Sequence, residues 1–290
     1  ETITLKDNKK HKKAEYGILI TGLIILLAAA CIIALCAGQY SVSVPEVTKI
    51  LASRFVNVTK TWSNTAEGVV FTLRLPRIIG AVLVGSALSL SGAAYQGVFK
   101  NPLVAPDLLG VSSGACVGAS VAILLHLNSF GVQAMAFVAG ILAVGLTLFI
   151  PRLIKNTNMT MLVLSGIIVK GIMDSVMGII KYVADPETEL QSITYWQLGS
   201  LTKVLPKDLF TVGPVIVAAS VIIFLLRWRI NILSLGDREA KTLGVSVTVV
   251  RNFIIICATL LTASAVCISG TIGWIGLVIP HFARMLTGPD

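Results

Sequence analysis

Residues 16–37 read YGILITGLIILLAAACIIALCA, 22 residues without a charged side chain. A bilayer core about 30 Å thick takes roughly 20 apolar residues per helical crossing, so this run is long enough to span one. Five lysines precede it: Lys6, Lys9, Lys10, Lys12 and Lys13. A secretory signal has a shorter apolar core, then a small-residue cleavage site and a soluble sequence. Neither follows here, and the run is read as a first transmembrane helix with a cytoplasmic start.

The same pattern recurs down the chain. Further apolar segments lie at about 76–98, 107–126, 131–151, 160–183, 207–228, 248–269 and 271–286. No backbone donor can stay unpaired in lipid, so each is predicted to be helical. Period-2 alternation is missing, which excludes an outer-membrane barrel. Gly80, Gly85, Gly92, Gly114 and Gly118 suit close approach of helices. The expected fold class is all-α, a polytopic transmembrane helical bundle of eight helices. Residues 1–15 are expected to form a cytoplasmic N-terminal tail and 16–290 the transmembrane domain. The two longer polar stretches, about 38–75 and 184–206, are too polar to span. The sequence stops at Asp290 directly after the eighth segment, and a further C-terminal portion is expected.

Composition agrees with this reading. The 290 residues are 55% hydrophobic and 13% charged, with a mean hydropathy of +0.88, whereas soluble domains carry about 25% charged residues. Eight crossings leave no room for a soluble catalytic domain. The net charge of +9 is spread between apolar segments, not gathered in a stripe with interleaved aromatics, which argues against nucleic acid. With residue 1 inside, the inner regions hold 14 of the 23 Lys and Arg, the outer ones eight, and Lys170 lies within a helix; this bias follows the positive-inside rule. Cys31, Cys36, Cys116, Cys257 and Cys267 all fall in apolar runs without CxxC spacing and read as packing residues.

Motifs of covalent chemistry are missing. No GxxxxGK[ST] occurs, so any ATP energy must come from a partner. HExxH and GxSxG are absent too, and the three histidines, His11, His126 and His281, are far apart in sequence, so no enzyme, metal site or cofactor is expected.

Function is therefore sought in the few polar stretches. The segment 227–251 reads RWRINILSLGDREAKTLGVSVTVVR. Leu233, Leu235, Ala240 and Leu243 form an apolar stripe, Asp237 and Glu239 suit a helix start after Gly236, and Gly244 can end that helix. Two short helices joined by a glycine turn are predicted, either a solvated connector or a docking surface for a cytoplasmic partner. Arg74 and Arg77 stand in TLRLPRIIG at the outer mouth of the second segment, with Pro76 placed to start its helix; they invite an acidic partner or snorkel to headgroups. Pro102 and Pro106 force a non-helical connection at the inner end, before a helix beginning near Asp107. Asn101 and Leu103 then form a gate or cap the turn. Lys170 and Asp174 are one turn apart, and they either pair with each other or line a pathway for an anionic substrate.

RLPR at 74–77, SGAAYQGVFKNPLVAPDLLGVSSGA at 91–115, SLGDREAKTLG at 234–244 and GTIGWIGLVIPHFARMLTGPD at 270–290 resemble, in order, the signatures of the FecCD-type permeases of ABC importers for siderophores, haem and cobalamin. The resemblance covers nearly the whole chain. It implies ten helices per subunit, of which the last two have no counterpart here, and two permease subunits, identical or different, forming the pathway. It also implies two cytoplasmic ATP-binding-cassette ATPases and an extracytoplasmic substrate-binding protein. Arg74 and Arg77 match the arginines that receive acidic side chains of that binding protein. Asn101 and Leu103 match cytoplasmic gate positions, and Met159 with Thr160 fall at a second constriction, where methionine departs from the usual small polar residue. Ser234, Leu235, Gly236, Asp237, Arg238, Glu239, Ala240, Lys241, Leu243 and Gly244 match the coupling helices, spanning about 229–247, that sit in the ATPase cleft. Lys170 and Asp174 depart from the family pattern and could carry preference for an anionic ferric chelate. The resemblance thus points to an iron-chelate import permease in the plasma membrane of a bacterium or archaeon. Haem or cobalamin is the alternative cargo, and an ion-coupled transporter using Lys170 and Asp174 is the rival of another class.

Overall fold

The computed structural model describes residues 2–156 and 158–288, with side chains from Glu15 onward. No strand occurs among the described residues; the elements are helices. Six of them are long and apolar enough to cross a membrane, and two shorter apolar helices bring the number to the eight expected. The chain divides into two units, one up to Ile79 and one from Gly80.

In the first unit, α1 (Thr2–Cys36) is followed by the short helices α2 (Val44–Ala52) and α3 (Asn64–Gly68). The backbone is helical from Thr2, and no glycine or proline interrupts residues 2–16. The lysine side chains expected to orient it lie outside the described ones. Leu35, Val42, Val47, Ile50, Trp62, Ala66 and Val70 form this unit's core. Pro76 does not start a helix as expected. A π-helical turn, Val69–Arg74, joins α3 to α4 (Leu75–Phe99) without a break; its wider turn accommodates the missing N–H and the bulk of the proline ring.

The second unit is built around α12 (Val247–Ser269), buried along most of its length. A helix apolar on every side belongs at the centre of a bundle. Around it stand α5 (Val111–Leu124), α6 (Ser129–Leu153) and α9 (Pro206–Leu225). The α5–α6 pair is the most closely packed. A Cβ at Gly114 would lie within 3 Å of the Ala139 carbonyl and the Ala143 side chain, and one at Gly118 would overlap the Met135 carbonyl. Small residues four apart let the two backbones approach, as expected. Gly85 is a correction: a side chain there would meet nothing within 4 Å, so it serves no close approach in this chain. Polar groups join α4 to α12, with Ser91 Oγ donating to the Ala258 carbonyl at 3.0 Å and Tyr95 Oη 3.0 Å from Thr259 Oγ1.

The remaining elements are α7 (Met159–Val183), α8 (Glu189–Gln197), α10 (Arg227–Leu235), α11 (Asp237–Thr242) and α13 (Ile275–Thr287). Two helix starts fall later than expected. A 3₁₀ turn, Pro106–Leu109, and left-handed Gly110 (φ 82°) precede α5, and residues 270–274 are irregular before α13.

Candidate functional site

The predicted glycine-hinged helix pair is present. Gly236 (φ 152°, ψ 155°) separates α10 from α11, and Gly244 (φ 77°) follows the end of α11, a backbone region that favours glycine. The apolar stripe divides in two. Leu233 and Ala240 are buried in the main core, whereas Leu235 is 67% and Leu243 60% exposed. Ser234, Asp237, Arg238, Glu239, Lys241 and Gly244 are exposed as well. The pair is thus anchored through one edge and presents two leucines among charged groups on the other.

Asp237 ties this pair to two other elements. Its carboxylate accepts from Arg251 Nη2 on α12, at 2.8 and 2.9 Å, and from Lys100 Nζ at 3.2 Å. The Arg251 hydrogen bond, then Lys100, hold its pKa below the ordinary aspartate value of 3.8. Lys100 ends α4 in a left-handed conformation (φ 53°) beside Asn101. Spacing rules could not find this contact, since 137 residues separate the partners.

At the turn itself, Asn101 Oδ1 accepts from the Leu103 N–H at 2.9 Å, which is the capping role. Leu103 projects, 77% exposed, while Val104 is buried and its carbonyl accepts from Gln96 Nε2 at 3.3 Å. Arg284 donates in turn to Gln96 Oε1. Met159 packs partly buried against the main core, and Thr160 beside it is exposed. Asn158 caps α7 by accepting from the Met161 N–H at 2.8 Å.

Arg74 and Arg77 have separate fates. Arg74 is 8% exposed; Nη1 donates to the carbonyls of Leu35 and Cys36 at 2.6 and 3.2 Å, and Nη2 to that of Tyr40. It caps the C-terminal end of α1, where carbonyls lack helical partners. Arg77 is half-buried, has no hydrogen bond or ion pair among the described residues, and lines with Arg74 and Tyr40 a cavity of about 550 Å³. Of these two, Arg77 alone has a guanidinium without a partner among the described residues.

The expected Lys170–Asp174 pair is not formed. Lys170 Nζ instead donates to Asp107 Oδ2 at 3.0 Å, and Asp107 Oδ1 accepts from the Ser112 N–H at 3.0 Å, capping α5. The chain turn at Pro106 brings that carboxylate to Lys170 from 63 residues away. Asp107 also lines a cavity of about 270 Å³ with Ser112, Ser113, Asp174, Gln197 and Thr271. Among the described residues no group of three or more His, Cys, Asp or Glu could hold a metal ion.

The model of the FecCD transport family matches residues 25–290. A molybdate import system permease protein of Haemophilus influenzae is 37% identical over 276 residues, 95% of this chain and 81% of that protein. A probable iron chelatin transport system permease protein of Helicobacter pylori is 41% identical over 222 residues, 77% of this chain and 67% of that protein. Among solved structures, an ABC transporter described as of metal-chelate type, in an inward-facing conformation, matches with a TM-score of 0.84 and 34% identity, covering 94% of this chain and 83% of its own.

Proposed function

This chain belongs to the FecCD transport family, and from that membership, as an ABC importer permease in the inner membrane, we propose that it carries an iron chelate by alternating access. Family membership brings ATPase and binding-protein partners. In the arrangement we propose, the α10–Gly236–α11 pair faces the cytoplasm, as does the N-terminus, and sits in the cleft of a partner ATPase. Two permease subunits, identical or related, form the pathway between them. The binding protein delivers cargo at the opposite face, with Arg77 receiving an acidic side chain and Arg74 holding the local backbone. Asn101 and Leu103, with Met159 and Thr160, close the inner mouth.

The observation that carries the coupling role is the division of the stripe, with Leu233 and Ala240 anchored and Leu235 and Leu243 exposed. Each leucine left in water forgoes about 1.5–3 kcal/mol of burial, which a partner cleft recovers. ATP-driven closure of the ATPases would shift this pair, and the Asp237–Lys100 contact would pass the shift to the turn at Asn101. An iron chelate is favoured as cargo by the Helicobacter pylori relative, 41% identical. The test is co-purification with a cognate ATP-binding-cassette ATPase, followed by uptake of radiolabelled ferric chelate and of molybdate into proteoliposomes supplied with the binding protein. Leu235→Glu with Leu243→Glu should lose the ATPase from the complex. Retention of the ATPase would overturn the coupling assignment, and uptake of molybdate in place of iron would overturn the cargo.

A further inference from the structure

Three helices long and apolar enough to span a membrane have ends that meet in one cavity: α6 begins at Ser129, α9 begins at Pro206 and α12 finishes at Ser269. With α8 they enclose about 480 Å³, within the usual range for sites that hold small ligands, roughly 300–1,000 Å³. The cavity lies at the boundary between hydrocarbon and headgroups, because the same helices run on from it into apolar sequence. Tyr195 and Trp196 of α8 line it, and aromatic rings with a polar atom are enriched at that boundary.

Two opposite charges line this cavity without meeting. Asp208 is 4% exposed; its Oδ1 accepts from Gln133 Nε2 at 3.0 Å and its Oδ2 from the Leu205 N–H at 2.9 Å. A carboxylate can accept about four hydrogen bonds, so each oxygen retains capacity. Lys203 Nζ lies over the Tyr195 ring, 4.0 Å from its centroid. Neither Asp208 nor Lys203 belongs to an ion pair among the described residues, and no other charged residue among them is in the wall. Partial burial lowers the Lys203 pKa below its ordinary 10.5, a shift that an anion beside it would oppose. An anion alone would meet Asp208, and a cation alone would meet Lys203. A ligand carrying both charges satisfies both.

We propose that this cavity seats the headgroup of a zwitterionic phospholipid bearing a primary ammonium, which donates to Asp208 while Lys203 and the Ser129 hydroxyl hold the phosphate. A buried carboxylate without a counter-charge is costly, and hydrogen bonds between charged groups are the strong ones. The level of the site selects a lipid over a soluble zwitterion. Phe130 and Phe210, 62% and 82% exposed near the starts of α6 and α9, supply apolar rings that suit acyl chains and would otherwise stay in water. The site goes beyond the permease reading and stands without reference to cargo or ATPase.

The full-length permease with its ATPase, delipidated in detergent, is titrated with dioleoyl phosphatidylethanolamine, phosphatidylcholine and phosphatidylglycerol, and the first bound lipid is followed by native mass spectrometry. The ethanolamine lipid should bind about tenfold tighter than the other two. Choline has no N–H to give Asp208, and glycerol carries no cation. Lys203→Glu, on an exposed turn, should weaken ethanolamine-lipid binding about tenfold and leave the melting temperature of the delipidated complex unchanged. Equal affinity for the three lipids, or undiminished binding in Lys203→Glu, would overturn the site. Soluble glycerophosphoethanolamine binding as tightly as the intact lipid would overturn the lipid as its occupant.

Discussion

Arg74 and Arg77 show how far apart two residues of one motif can be in function. Arg74 supplies hydrogen bonds to two carbonyls at the end of α1 and to that of Tyr40 beyond it, and a charged donor contributes about 1.5–3 kcal/mol per hydrogen bond when buried. Arg74→Gln should therefore lower the melting temperature of the purified permease by several degrees, with Arg74→Lys recovering little, since an ammonium cannot reproduce the fork. Arg77→Glu should leave the melting temperature unchanged and reduce binding-protein stimulation of ATP hydrolysis by about tenfold, the stimulation by the unmodified permease falling with added salt. Asp237 offers a pH readout. Its folded pKa is depressed by Arg251 and Lys100, so the stability it contributes is present above the ordinary value of 3.8 and lost as pH falls through the lower folded value. The melting-temperature gap between the unmodified chain and Asp237→Asn should hold constant above about pH 5 and close below about pH 4.

Among the helices, packing follows side-chain size. The glycines at 114 and 118 face backbone atoms of α6, so Gly118→Ala must push two helices apart. Gly85 faces open space, and there alanine relieves the entropic cost of a helical glycine, about 0.5–1 kcal/mol. Thermal unfolding in detergent should show Gly118→Ala clearly destabilised and Gly85→Ala equal to or above the unmodified chain. The sequence marks both glycines alike because composition says nothing about which face of a helix meets a neighbour. It reads the α10–α11 pair well, since Gly236 and Gly244 are local conformational requirements and the helix-starting acids follow at once. It places Pro76 wrongly, because the π turn that admits the proline is not written in any residue preference.

For the molecule as a whole, the number of apolar helices, the all-helical class, the family and the segments that stay polar were legible from the chain. These depend on hydropathy over some 20 residues or on contiguous motifs, which are local quantities. Charge pairing was not. Lys170 and Asp174 are one turn apart and look like partners, but the non-helical turn at Pro106 delivers Asp107 to Lys170 and leaves Asp174 open to the cavity. Likewise Arg74 reads as a surface cation until the end of α1 is folded over it, and Asp237 reads as a helix-starting acid until Lys100 and Arg251 reach it. The sequence by itself determined what could enter a membrane and which segments stayed polar, because burial in lipid is decided helix by helix. Only the tertiary structure decided which charges cancel and which remain free, because an ion pair requires two groups within a few ångströms, and chain separation does not predict that distance.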